Sequence, residues 1–199
     1  MSQNKFEEIV ENIQHLHTQL EQEFDRLFAE KQRQFHYNIK KGKVFFEEGI
    51  RELQSQYRTG IWKYLINAKI GHLLISPIIY SISIPLVLLD ISITFYQHIC
   101  FRVFGIPRVR RADYIVIDRQ HLSYLNVIEK MNCMYCGYGT GLIEYTREII
   151  ARTEQYWCPI KHARRGLSHH HRMAEFADYG HAEDYKEKLD QLRKQLERG

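Results

Sequence analysis

Four residues in the C-terminal half of the chain have the types and spacing of a metal site. They are Cys133 and Cys136 in NCMYCGYG, and Cys158 and His162 in WCPIKHA. Three thiolates and an imidazole form a tetrahedral set for zinc, and the two-residue gap between Cys133 and Cys136 lets both sulfurs meet one ion. Iron would take the same thiolates and would colour the protein. An alternative chemistry uses Cys133 and Cys136 as a redox dithiol, because thiols near a helix N-terminus are stabilised as thiolates by the dipole and the free N–H groups. The C-x-x-C spacing in an otherwise cysteine-poor chain fits metal or redox use in a reducing compartment better than a disulfide framework.

Other polar residues offer weaker chemistry. Glu144 and Glu148 stand one turn apart on a helix face and could serve as metal-binding or acid/base carboxylates, but Arg147 and Arg152 beside them favour an ion-pair network. His169, His170 and His171 read as a solvated tripeptide, and Asp118 and His121 as a second polar cluster. Asp90 is the sole charge in the apolar stretch and reads as an interfacial residue or as the partner of an arginine. The chain has no phosphate-binding loop, no G-x-S-x-G elbow, no C-x-x-C-H haem attachment and no set of histidine boxes.

The elements that must position these residues follow from periodicity. From Phe6 to Phe28 the apolar residues recur by threes and fours, which predicts an amphipathic helix. Its stripe could pack on the protein's own domain or on a partner helix. Beyond KQRQ, with Gly42 and Gly49, helix is expected more weakly to Arg58. From Ile70 to Leu89 no formally charged residue occurs over about 20 positions, the length of a membrane-crossing helix. The apolar character resumes after Asp90. Some 32 helical residues from Ile70 to Phe101 would stretch about 48 Å, against a hydrocarbon core of about 30 Å. Pro77 and Pro85 each remove a backbone donor, so a bend is expected. Basic residues flank both ends: Arg51, Arg58, Lys63 and Lys69 before, Arg102, Arg108, Arg110 and Arg111 after. Matched positives favour a re-entrant helix-break-helix with both ends on the cytosolic face, turning near Ser76-Pro77 or Ile84-Pro85.

YIVID, at 114–118, has the β-branched content of a short strand. HLSYLNVIEKMN then has helical spacing, CGYGTG breaks it with three glycines, and LIEYTREIIARTEQYW resumes a helix that Pro159 stops. Antiparallel packing of those two helices would bring Asp118 and His121 toward Cys158 and His162. A straight helix from Leu142 to Tyr156 is about 22 Å long, so the two halves of the metal set meet only if the glycine loop runs back along it. The tail AEDYKEKLDQLRKQLERG carries Leu189, Leu192 and Leu196 as a thin stripe and is expected to pack weakly or fray.

Charge is segregated. The 199 residues carry a net charge of +4, and the mean hydropathy of −0.44 conceals the apolar stretch. Residues 102–172 hold 12 basic against 6 acidic side chains, an excess just after the stretch that suits an anionic bilayer surface at roughly 1 kcal/mol per nearby cation. Basic residues with interleaved aromatics could also meet nucleic acid, but no nucleic-acid motif accompanies them. The opening MSQNKFEEIVENIQ is acidic and polar where a secretory h-region would be apolar, so the N-terminus is expected in the cytosol.

Two resemblances bear on these expectations. C-x-x-C-G-Y is similar to one knuckle of a rubredoxin or zinc ribbon and Cys158-Pro159 to the start of a second. That second knuckle would need a cysteine near Lys161, where only His162 stands. The block DYIVIDRQHLSYLNVIEKMNCMYCGYGTGLIEYTREIIARTEQYWCPIKHARR resembles an uncharacterised bacterial membrane-associated family, which implies a cytoplasmic-membrane setting and supplies no activity.

The expected fold is mainly α: an amphipathic helical region over 1–69, a Pro-bent membrane segment over 70–104, a small domain with the cysteine loop over 105–172 and a charged helical tail over 173–199. The expected function is a membrane-anchored binding or scaffold protein with a structural metal, its partners anionic lipid and a protein at the N-terminal helix. The alternative is a membrane-associated thiol-redox or metal-dependent oxidoreductase. Nothing in the residues demands turnover.

Overall fold

The computed structural model describes residues 2–40, 43–47, 49–164, 166, 169–183 and 185–198. The protein is mainly helical, with one two-stranded antiparallel sheet among the described residues. Two compact units divide it: Met1–Thr59 with His121–Asn126, and Gly60–Gln120 with Val127–Gly199.

In the first unit, α1 spans Ser2–Gln34. It continues through KQRQ because Lys, Gln and Arg are good helix formers, and Lys31 and Arg33 suit the negative end of the helix dipole. The next stretch, expected as helix, is instead a hairpin. Strand β1, Tyr37–Lys40, pairs with β2, Lys43–Phe46, in the register Tyr37 to Phe46 and Ile39 to Val44. Aromatic and β-branched side chains favour this pleated surface, and the Tyr37 and Phe46 rings meet across it at 5.9 Å. Helix α2 covers Ile50–Ser55, and its Gln54 side chain accepts a hydrogen bond from the Ser123 backbone.

The second unit begins with α3, Ile61–Asn67, and then the apolar run. Helix α4 (Ile70–Ser81), α5 (Ser83–Tyr96), a π turn at Gln97–Phe101 and α6 (Arg102–Phe104) follow one another as a 35-residue helical run. The re-entrant turn expected near Ser76-Pro77 or Ile84-Pro85 does not occur: α4 and α5 meet at Ile82, which keeps right-handed helical angles within the one 35-residue run. Local chemistry explains this. Pro77 deprives the Leu73 carbonyl of its helical donor, and the Ser76 hydroxyl donates to that same carbonyl at 2.8 Å. Pro85 lies in the first turn of α5, where a missing N–H costs little.

Helix α7 runs unbroken from Val127 to Trp157, which corrects the expected helix-loop-helix: Cys133 to Gly141 is not a loop. Each glycine costs about 1 kcal/mol in a helix interior. Here two of them admit another segment. A Cβ at Gly141 would lie 2.5 Å from the Tyr114 carbonyl oxygen, and one at Gly137 would lie 3.2 Å from that of Val116. The YIVID segment is therefore an extended strap laid along α7, without a strand partner among the described residues.

Helices α5 and α7 lie side by side and parallel: Leu86 meets Gly139, Asp90 bonds Tyr138, and Gln97 bonds Tyr145. At their C-terminal ends Phe101, Ile106, Val109, Leu142, Tyr145, Ile149 and Leu196 form the core. Gln97, buried in the π turn, accepts from the Val109 N–H at 3.1 Å and donates back to its carbonyl at 3.4 Å, fastening the 105–109 loop. The tail does not fray: α8, Tyr185–Arg198, buries Leu192 and Leu196.

Candidate functional site

The polar chemistry of the molecule concentrates on the C-terminal half of α7. The helix face that carries Glu144, Arg147, Glu148, Glu154 and Gln155 is covered by the segment leading into a 3-10 turn at His171–Glu175. A parallel bridge between Ile160 and Ala177 closes the base of that segment, with Lys161 N–H donating to the Ala177 carbonyl and Ala177 N–H to that of Pro159, both at 2.8 Å.

Glu148 is the centre. It is 8% exposed and accepts from Arg152 Nε at 2.8 Å and Arg172 Nη2 at 2.7 Å. Arg152 also donates to the Pro107 carbonyl at 2.6 Å, and Arg172 to Gln155 Oε1 at 2.8 Å. Gln155 in turn donates to the Leu192 carbonyl of α8 at 3.1 Å. His170 pairs with Glu154 at 2.8 Å and sets its ring edge against Phe176. Arg147 reaches the His169 carbonyl at 2.7 Å and Glu144 at 3.5 Å. Two shallow grooves flank this network. One is lined by Tyr114, Glu144, Arg147, Glu148 and His169–His171, the other by Glu154, His162, Arg164, His169 and His170 among others.

Electrostatics follow from these contacts. Burial alone would push the Glu148 carboxyl up, but the hydrogen bonds and charges of Arg172 and Arg152 outweigh it and hold the group below the usual carboxylate range. Partial burial lowers the His171 imidazole, assisted by the charges of Arg172 and His170 against the opposing Glu148. Burial and the neighbouring Glu154 push the Cys158 thiol up. A carboxylate engaged by two guanidinium groups is a poor general base, since accepting a proton would leave two half-buried cations unpaired. The arrangement is a clamp that joins α7, the 105–109 loop, the 169–176 segment and α8.

The four residues of the expected metal set are not brought together. Cys133 and Cys136 stand one turn apart inside α7. Cys158 and His162 follow its C-terminus. An unbroken helix places about 33 Å between Cys136 and Cys158, whereas one zinc needs every ligand within about 2.3 Å. Among the described residues no group of three or more His, Cys, Asp or Glu is arranged to hold a metal ion, and all four cysteines of the chain are free thiols. The dithiol reading loses its helix terminus as well: Cys133 is the seventh residue of α7, beyond the first turn where the dipole acts. With α7 continuous, the helical hairpin that would bring Asp118 and His121 toward Cys158 and His162 is absent.

Other expectations hold. Glu144 and Glu148 are ion-paired with Arg147 and Arg152. Asp90 is the partner of an arginine, accepting from Arg111 at 2.7 and 3.2 Å as well as from Tyr138 at 3.0 Å. The histidine tripeptide is more structured than expected, since His170 is half-buried and paired. Arg172 and Gln155 gave no sequence signal. Gly137 and Gly141 did, as two small residues four apart on a close-packing face.

No known family model, curated protein or solved structure matches this chain.

Proposed function

We propose that this chain is a membrane-anchored binding or scaffold protein, attached through Ile70–Phe104. The observation that carries the reading is the exposure of that run: an 18-residue apolar window within the 35-residue helix contains no buried residue. Ile70, Leu74, Ile78, Ile84, Leu88 and Ile91 are each at least 60% exposed, and each such side chain gains roughly 1.5–3 kcal/mol when taken out of water. Hydrocarbon supplies that gain. Arg102, Arg108, Arg110 and Arg111 follow the run and suit anionic headgroups, and the resemblance to a bacterial membrane-associated family favours a cytoplasmic membrane.

Binding is preferred over turnover because the buried carboxylate is committed to two arginines and the two halves of the cysteine and histidine set stand apart. Zinc or iron shared by Cys133, Cys136, Cys158 and His162 is not part of this reading. For a protein partner the chain offers α1, whose Ile13, Leu16, Leu20, Phe24 and Leu27 are exposed along one stripe, the surface that another amphipathic helix covers.

Flotation with vesicles tests the attachment. The purified chain is expected to rise with phosphatidylcholine vesicles, more completely when phosphatidylglycerol is added, and to resist extraction at alkaline pH. A chain that stays soluble without detergent and remains below vesicles of both compositions would refute the proposal.

A further inference from the structure

We infer that α7 enters the bilayer together with α4 and α5, its charge-free stretch from Met131 to Ile143 lying in hydrocarbon beside Ile78–Leu89. This rests on the membrane attachment proposed above and extends it: the embedded part is a pair of parallel helices with a strap between their ends, not one helix.

Three observations converge. The first is level. Tyr80 bonds Asn132, Tyr135 donates to the Ile79 carbonyl at 2.9 Å, Leu86 packs on Gly139 and Tyr138 reaches Asp90. Any layer that contains Ile79–Leu89 of one helix therefore contains residues 132–139 of the other. The second is charge. On α7 no charged residue stands between Lys130 and Glu144, 13 positions or about 20 Å of helix. Its exposed side chains there include Met131 at 54% and Ile143 at 51%. Charges resume at both limits, with Glu129 and Lys130 at one end and Asp90, Arg111 and Arg147 at the other.

The third observation shows what covers the surface. The hydroxyls of Tyr80, Ser81, Ser83, Tyr135, Tyr138 and Thr140 all donate to protein acceptors, the serines and threonine to carbonyls three or four residues back. Water needs no such arrangement. Lipid does, because it offers a polar group no partner. On its inner side the strap's backbone lies against Gly137 and Gly141; non-helical backbone at membrane depth is tolerated where protein covers it. The α7 stretch spans about 20 Å of the usual core of about 30 Å; α4 alone, from Ile70 to Pro77, reaches the remaining depth, and Lys130 extends its charged end toward the surface.

The inference places two native thiols in different media. Cys136 is exposed on the α7 stretch and Cys158 is exposed beyond the helix end. The full chain carrying C100A, C133A and C158A keeps Cys136 alone; C100A, C133A and C136A together keep Cys158 alone. Each is spin-labelled and bound to phosphatidylcholine–phosphatidylglycerol vesicles, floated, and freeze–thawed with a water-soluble nickel chelate so that the chelate reaches both faces. Collision with oxygen should exceed collision with the chelate at least five-fold at Cys136, and the ratio should invert at Cys158. Equal chelate access at both positions in floated protein overturns the inference while leaving the attachment standing. Failure to float overturns both. Should the Cys136 form lose helicity by circular dichroism, Met134→Cys in the cysteine-free background replaces it, with the same outcomes required.

Discussion

Gly141→Ala isolates the contact between α7 and the strap. The added methyl would fall 2.5 Å from the Tyr114 carbonyl oxygen, 2.8 Å from Ile115 Cα and 3.1 Å from the Tyr114 carbonyl carbon. All three atoms are backbone and cannot rotate away. Carbon–oxygen contacts settle near 3.3–3.6 Å, so the strap must retreat by about 1 Å. Overpacking of this kind costs about 1–3 kcal/mol, against about 1 kcal/mol gained by alanine over glycine in a helix interior. The net change is a loss of roughly 0–2 kcal/mol. Gly139→Ala is the internal control, with the same propensity gain and only the Leu86 Cδ1 methyl at 3.4 Å; it should be stabilised by up to about 1 kcal/mol. Gly137→Ala, facing the Val116 oxygen at 3.2 Å, should fall between. Thermal unfolding of the three variants in one detergent, followed by circular dichroism, should separate Gly139→Ala from Gly141→Ala by about 1–3 kcal/mol. At roughly 2–4 °C per kcal/mol for a chain of this size, that is several degrees. If Gly141→Ala melts at or above Gly139→Ala, the strap is not seated on the glycine face and the reasoning fails.

Glu148→Gln should cost about 3 kcal/mol, because Arg152 and Arg172 would share a neutral amide; a melting temperature unchanged from wild type would remove the clamp from the account. Since the Glu148 carboxyl is held below the ordinary glutamate value of 4.5, its contribution is complete above that pH and lost as pH falls through the folded value, and the acid loss should be smaller in Glu148→Gln. For His171, lowered from 6.5, the charged form is disfavoured in the fold, so stability due to it should fall as pH drops below about 6.5. Its NMR titration midpoint should lie below that of a denatured control, and a midpoint above the control would contradict the placement. Prolonged treatment with a strong chelator should leave helicity and melting temperature unchanged, whereas cooperative unfolding on chelation would show a shared metal after all.

Fold class was legible in the sequence because helical periodicity and the apolar run are strong local signals. The hairpin at Tyr37–Phe46 and the continuity of α7 were not, for opposite reasons. The hairpin's alternation of aromatic and polar residues is short and adjoins a long helical stripe, whose period dominates the local pattern. In α7 the intrinsic cost of three glycines argues for a break, but a tertiary neighbour fits only against them: Gly141 touches a segment 27 residues earlier, and the four-residue spacing of Gly137 and Gly141 marks a close-packing face without naming the segment that fills it. The metal set depended on the same misreading. Once the glycines stay helical, Cys133 and Cys136 are separated from Cys158 by some six turns. Asp90 with Arg111, and Glu148 with Arg152, were legible because charge in apolar or crowded surroundings requires a partner. Arg172, which completes the Glu148 pair, lies 24 residues away and carried no mark.

The parallel arrangement of α5 and α7 has a consequence for the order in which the chain is made. Parallel neighbours need a connection that travels back along their length, so α7 leaves the ribosome later than the helix it packs on. At about 5–20 residues per second, the roughly 50 residues from Phe104 to Trp157 take several seconds to add. During that interval the face of α5 that later meets Tyr138 and Tyr145 is open, and Asp90 lacks one of its partners. A helix apolar on every side, as α4 and most of α5 are, can rest in lipid through that wait and still receive its neighbour afterwards.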